Sequence, residues 1–235
     1  MKIQGAVALV TGANRGLGAE FAQALLDNGA AKVYAGARNP SSITDPRLTP
    51  IRLDVTDKES IAAAAAIAPD VNILINNAGI GTRTEIIGDP KDLRDLLEVN
   101  LYGLIDVTRA FAPILAANGG GAVVNMLSVA SWRQALLGAY GVSKTAAWGA
   151  SNAMRVQLAP QGTLVVGVHA GFLETDMADG VTAPKTHPRV VADETMKGLL
   201  NDEWEVYGDE VSQVIKSQLS APLEEMYRDF MPAKA

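Results

Sequence analysis

Ala6-Val7-Ala8-Leu9-Val10-Thr11-Gly12-Ala13-Asn14-Arg15-Gly16-Leu17-Gly18 is the stretch on which the fold turns. Its first five residues form a near-continuous apolar run, as a strand covered on both faces requires. A helical pattern over 16–28 follows, so the glycines lie between a strand and a helix. Gly12 permits a sharp turn, Gly16 lets backbone amides approach an anion, and Gly18 lets the helix pack close on the strand. Exposed amides and the helix dipole then favour a phosphate group there. Glycines alone make a tight turn; in this position they predict a dinucleotide site.

The same alternation continues outward. Apolar, β-branched runs predict strands at 32–36, 51–54, 71–76, 122–126 and 164–169, with a weaker one at 205–207. Helical patterns lie between them at 57–67, 90–116 and 138–158. Asn28-Gly29 closes the first helix, and Thr56 is expected to cap the next, with Asp57 and Glu59 in its opening turn. Strands joined by helices imply a parallel sheet with right-handed crossovers, hence an α/β, doubly wound architecture. Ala62 to Ala66 is explained by helix propensity alone. The segment 177–190 carries two prolines and Gly180 without clear periodicity, and is expected to be a mobile loop over the substrate.

Composition narrows the classes. The 235 residues suit one domain spanning 1–235, and 48 % hydrophobic with 20 % charged residues is globular usage. A net charge of −6 disfavours a nucleic-acid partner, since no excess of Lys and Arg is left to neutralise phosphates. There is no cysteine, which excludes disulfides, thiolate catalysis and cysteine-ligated metals. The uncharged stretches 110–132 and 156–173 are broken by Pro113, Gly119-Gly120-Gly121, Pro160 and Gly162, so neither reads as a membrane span. The N-terminus reads as a first strand rather than a signal peptide. The expectation is a soluble, cytoplasmic protein.

With Thr11 before it, the G-x3-G-x-G turn resembles that of the short-chain dehydrogenase/reductase family. Asn76-Asn77-Ala78-Gly79 resembles the family's NNAG, Leu97-Glu98-Val99-Asn100 supplies its helical Asn, and Ser128 lies just past the fifth strand. Tyr140-Gly141-Val142-Ser143-Lys144 is similar to its Y-x3-K. The ordered set runs from the first strand to about Met177 and is highly specific; beyond residue 190 nothing resembles the family strongly. The resemblance implies a Rossmann-type fold and an oxidoreductase that transfers hydride between a nicotinamide and a small carbonyl or alcohol. It implies dinucleotide contacts at Gly12, Asn14, Arg15, Gly16, Leu17 and Gly18. Further contacts are implied at Arg38, Asp54, Val55, Asn76, Ala78, Gly79, Gly171 and Thr175.

Ala37 stands where NAD-preferring relatives carry Asp, Arg38 follows it, and Arg15 lies in the glycine turn, so NADP(H) is the expected cofactor. A charge pair at 4 Å near a surface is worth roughly 4 kcal/mol before screening. Exposed arginines realise only part of this, yet about 1.4 kcal/mol is already tenfold in affinity.

Tyr140 and Lys144 are four apart in a helical pattern, so they share a face. A free phenol has a pKa of about 10, and a nearby ammonium favours phenolate. The resemblance assigns Ser128 to the substrate oxygen, Tyr140 to the proton, Lys144 also to the nicotinamide ribose, and Asn100 to a relay through Lys144 and an ordered water. Ala170 replaces the family's proline in His169-Ala170-Gly171, which should loosen that turn. His169 is expected to be a packing residue. His187 has no ligand set near it, so no metal is expected. Trp132, Leu136, Leu137, Phe172, Leu173 and Met177, with Glu174 as the one charge, predict an apolar pocket for an aldehyde or ketone.

Alcohol oxidation, reduction of an acyl-carrier ketone, and NADP(H) sensing without turnover remain alternatives. The Ala- and Leu-rich faces of 90–116 and 138–158, with the resemblance, imply a homo-oligomer: a tetramer, with a dimer as the smaller alternative.

Overall fold

The computed structural model describes residues 1–133 and 137–231. Seven strands, β1 (Val7–Thr11), β2 (Lys32–Ala37), β3 (Thr49–Arg52), β4 (Ile73–Asn76), β5 (Ala122–Met126), β6 (Leu164–His169) and β7 (Glu205–Tyr207), form one sheet in the order β3-β2-β1-β4-β5-β6-β7. Every pairing is parallel. The order reverses between β1 and β4, and the crevice beyond the strand ends at such a switch point is where doubly wound sheets bind ligands.

Helices cover both faces. On one lie α1 (Gly16–Asp27) and α6 (Pro188–Leu200); on the other lie α2 (Lys58–Ile67), α4 (Leu104–Ala117) and α5 (Gly138–Leu158). Consecutive β1 residues serve opposite cores: Val10 packs with Phe21, Leu25 and Met196, and Leu9 with Phe111, Leu115 and Val123. This two-sided burial is why the strands read as unbroken apolar runs. Each fully buried side chain of this size contributes roughly 1.5–3 kcal/mol.

The 90–116 helix is not continuous. α3 (Pro90–Leu97) passes into a π-helical turn over Glu98–Gly103 before α4 begins. Asn100 lies in that turn with both ends of its amide bonded to the Ile80 backbone, and a Cβ on Gly103 would lie 2.8 Å from the Val55 side chain. The extra residue turns Asn100 inward and lets the helix approach Val55.

Several boundaries shift. α2 is capped by Asp57, which accepts from Ser60 N at 3.1 Å, while the Thr56 hydroxyl donates to Asp54. β3 starts at Thr49 and ends before Asp54, with Pro50 tolerated because the strand is an edge. α6 takes the last residues of the 177–190 segment: Pro188 is its first residue, and the His187 ring accepts from Arg189 N. Earlier in the segment, Thr186 bridges to Leu173. After β7 come α7 (Glu210–Ser217), opened by an Asp209–Ser212 capping box, and α8 (Leu223–Met226). Among the described residues no helix is long and apolar enough to cross a membrane.

Candidate active site

The turn after β1 is locked to the turn after β4. The Thr11 hydroxyl accepts from the amides of Asn77 and Ala78, both at 2.9 Å, and Asn77 Nδ2 donates back to the Thr11 carbonyl. Gly12 has φ +66°, and a Cβ there would sit 3.1 Å from Ala78 Cα; a Cβ on Gly18 would lie 2.0 Å from the Gly12 carbonyl oxygen. Side chains are thus excluded at both positions. Arg15 caps α1 without a side-chain hydrogen bond, and the first turn holds no acid. Its orphan amides and dipole suit an anion, so the residues present fit a dinucleotide pyrophosphate. The Thr175 methyl stands 3.2 Å from where a Gly16 Cβ would be, which brings the loop after β6 over this turn.

Ala37 ends β2 buried, and Arg38 beside it is exposed and makes no ion pair among the described residues. Arg15 instead reaches across the cleft to Asp176 at 2.5 Å, both side chains about 70 % exposed. Such a pair is worth at most about 1 kcal/mol. Sequence reasoning missed Asp176, whose partner could not be known before the loop was placed.

Asp54 lies past β3, where its carboxylate accepts from the Thr56 amide and hydroxyl at 3.0 and 2.8 Å. The Asn76 side chain points into the helix layer. Its Nδ2 donates to Thr108 Oγ1 and to Asn125 Oδ1, each at 2.9 Å, and Asn125 donates on to Ser151. Asn76 therefore ties β4 to α4 and β5. Gly79 lies between Asn100 and Lys144: a Cβ there would be 3.0 Å from Asn100 Oδ1 and 3.7 Å from Lys144 Nζ.

Ser128 follows β5 in extended conformation and is 6 % exposed. Its hydroxyl accepts from Ala130 N at 3.1 Å and lies near enough to the Tyr140 phenol to act against the rise in that phenol's pKa. Tyr140 and Lys144 lie in the first two turns of α5. Lys144 Nζ donates to the Met126 carbonyl at 2.9 Å and stands 5.8 Å from the Tyr140 ring centre. Burial pushes the Tyr140 phenol up to about 12, with the Ser128 hydrogen bond opposing it, and burial brings Lys144 down to about 8. The expected lowering of the phenol by Lys144 is thus reversed in the protein alone, because desolvation outweighs an ammonium turned toward Met126. Asn100 Nδ2 donates to Ile80 O and to Ser143 Oγ, and Ser143 Oγ donates to the Tyr140 carbonyl. Asn100 is joined to the Tyr140 helix through Ser143.

Gly171 follows Ala170, and its amide donates to Asp209 at 2.7 Å, which anchors the turn that lacks a proline. Of the expected pocket residues, Met177 is exposed and packs against Gly81 beside the Tyr140 ring. Leu137 and Phe172 are half-buried, and Leu173 packs on the α1–α6 core. Trp132 is instead buried behind Ser128, stacked on His169, and Leu136 lies outside the described residues. Among the described residues no three His, Asp or Glu side chains are grouped to hold a metal ion.

The profile of the family described as short chain dehydrogenase matches residues 6–186. A short-chain dehydrogenase of Burkholderia cenocepacia, solved in complex with NADP, superposes with a TM-score of 0.93 at 37 % identity, covering 99 % of this chain and all of that one. The chain belongs to the short-chain dehydrogenase family. Its sequence is also 34 % identical to a short chain dehydrogenase of Aspergillus terreus, tazN, over 83 % of this chain. The match spans 47 % of that longer protein, so this chain covers about half its length. A sorbitol dehydrogenase of Cereibacter sphaeroides is 32 % identical over 78 % of this chain and 76 % of its own. Within this family of NAD(P)-dependent oxidoreductases, the chain carries Tyr140 and Lys144 on one helix, the Lys144 amine 5.8 Å from the Tyr140 ring centre.

Proposed function

We propose that the protein is an NADP(H)-dependent carbonyl reductase that converts an aldehyde or ketone reversibly to its alcohol. The observation that carries this reading is the Tyr140 phenol set beside the buried Ser128, on the same helix face as the buried Lys144. Reduction leaves negative charge on the substrate oxygen, which a positioned acid must quench. A phenol held near pKa 12 is protonated at neutral pH and is therefore ready as that acid. Ser128 donates to the same oxygen and orients it, exchanging its present weak bond to the Ala170 carbonyl at 3.5 Å.

When bound, the nicotinamide supplies the hydride in one direction and accepts it in the other. The α1 amides and glycine turn would hold the pyrophosphate, Thr175 and Gly171 would serve the nicotinamide, and Lys144 would hold the ribose. Asp54 and Val55 would serve the adenine, and Ala78 and Gly79 would meet the dinucleotide through their backbone. Asn100 fixes the Lys144 side of the site across Gly79. Preference for NADP(H) rests on exposed Arg38 after buried Ala37, on Arg15, and on the NADP bound by the Burkholderia relative.

The test is NADPH oxidation against a panel of apolar and aromatic aldehydes and ketones, with dissociation constants for NADPH and NADH. Wild type should prefer NADPH by about tenfold or more, and Ala37→Asp/Arg38→Ala should move that preference toward NADH. Equal affinities in wild type sink the cofactor assignment. NADPH binding with no turnover across the panel favours the sensing alternative.

A further inference from the structure

Behind Ser128, on the side away from the cleft, lies His169. It ends β6, is fully buried, and stacks on Trp132 with ring centres 3.7 Å apart and planes 18° from parallel. Its Nδ1 is 3.0 Å from the Ser128 carbonyl oxygen. A carbonyl oxygen only accepts, so Nδ1 carries the proton and donates it. The other nitrogen, Nε2, has no hydrogen-bond partner among the described residues, and its nearest charged neighbour is Glu205 Oε1 at 3.7 Å. Glu205 is itself fixed by Lys216 Nζ at 2.5 Å and Trp148 Nε1 at 3.1 Å. Flipping the ring would bring Cδ2 instead of a nitrogen against the Ser128 carbonyl, so the stack and the Nδ1 bond define one orientation.

β6 grips Ser128 at more than one point. Val129 N donates to the Ala170 carbonyl at 3.0 Å, the Ser128 hydroxyl points to the same oxygen, and Ser131 N shares the Ser128 carbonyl with His169. Any flat ring would satisfy Trp132. Only a donor at the Nδ1 position satisfies the Ser128 carbonyl from this side.

We propose that His169 is a positioning residue for Ser128: its Nδ1–H holds the Ser128 peptide unit, and so the direction in which the Ser128 hydroxyl meets Tyr140 and the substrate oxygen. The proposal rests on the role given to Ser128 above.

The test compares His169→Phe, His169→Asn, His169→Gln and Ser128→Ala in the full chain, with kcat and KM for NADPH-dependent reduction of 4-nitrobenzaldehyde, NADPH dissociation constants and melting temperatures. An Asn amide reaches the Nδ1 position, a Gln amide the Nε2 position, and Phe keeps only the stack. His169→Phe and His169→Gln should lower kcat by about tenfold, the rate equivalent of one hydrogen bond, with NADPH affinity unchanged. His169→Asn should recover most of it. The idea is overturned if His169→Phe keeps wild-type kcat, or if His169→Asn falls as far as His169→Gln. Should His169→Phe fail to fold, the Asn–Gln pair decides alone. If Ser128→Ala is active, the reading of Ser128 has failed; if it is inactive while His169→Phe is active, only the positioning role has. Independently of turnover, NMR of the protein without dinucleotide should show a slowly exchanging His169 Nδ1–H. The Val129 amide 15N resonance, in the peptide unit of the Ser128 carbonyl, should shift in His169→Gln but return toward wild type in His169→Asn. Absence of that imidazole proton overturns the proposal.

Discussion

Tyr140 shows how far one side chain's chemistry depends on its neighbours. The phenol and Lys144 belong to one helix face, as their spacing requires, yet burial pushes the phenol up to about 12 and the amine down to about 8. Tyr140→Phe keeps the ring and its packing and removes the transferable proton. It should fold and bind NADPH like wild type while kcat falls by ~10²–10⁴. A variant retaining most of the wild-type rate on a good substrate, with chemistry rate-limiting, would falsify the mechanism. The difference in phenolate absorbance between wild type and Tyr140→Phe, without dinucleotide, should develop only as pH approaches about 12. The shared helix of Tyr140 and Lys144, and Ser128 just past β5, were legible because spacing and strand pattern fix those places. The direction of the phenol's shift was not, because desolvation depends on what the folded chain packs around the group. The same holds for Asn76, whose side chain meets Thr108 and Asn125 from elements far away in sequence.

At the scale of elements, β7 and α7 meet around Glu205. Burial raises its carboxyl, but its surroundings, with hydrogen bonds from Lys216 and Trp148, prevail and hold it down at about 2 instead of 4.5. A carboxyl depressed in the folded state stabilises above its unfolded pKa and loses that contribution as pH falls through the folded one. Urea midpoints should therefore drop between pH 4.5 and about 2 in wild type. Glu205→Gln should start less stable at neutral pH and show a shallower drop over that window. Identical pH dependence in the two proteins would refute the assignment. Strands β5 and β6 matched the apolar runs residue for residue, because two-sided burial leaves so clear a pattern, and the half-buried edge strand β7 matched its weaker one. The π-helical turn at Glu98–Gly103 was invisible: it is set by the Asn100–Ile80 bonds and the close approach of Val55, neither of which has a local signature. α6 did leave a signal, Pro188 followed by Val191, Ala192, Thr195, Met196 and Leu199 at helical spacing, masked by the prolines and threonines before it.

The whole molecule leaves one surface that a single sheet with its helices does not explain. α5 turns Ala147, Ser151 and Met154 toward the sheet and exposes Gly149, Ala153 and Val156 on the other side, Val156 at 76 %. A Cβ added to Gly149 would meet nothing within 4 Å, so no contact inside this chain requires glycine there. Glycine inside a helix costs about 1 kcal/mol relative to alanine, and an outward helix face in a monomer is ordinarily charged rather than small and apolar. α4 beside it exposes Pro113 and Ala116, with Tyr102 half-exposed in the preceding turn. Small residues let helices of two copies approach closely, and a two-fold axis would place the same patch on both partners. We infer a homo-oligomer assembled through α4 and α5, a tetramer once a second two-fold contact is added. Light scattering at micromolar concentration should then report four times the 24.6 kDa chain. Ala153→Glu/Val156→Glu places like charges on the dyad and should yield a smaller species that still binds NADPH, because the cleft lies at the strand ends rather than on this face. A wild-type monomer, or a double variant whose mass is unchanged, would remove α5 as the interface.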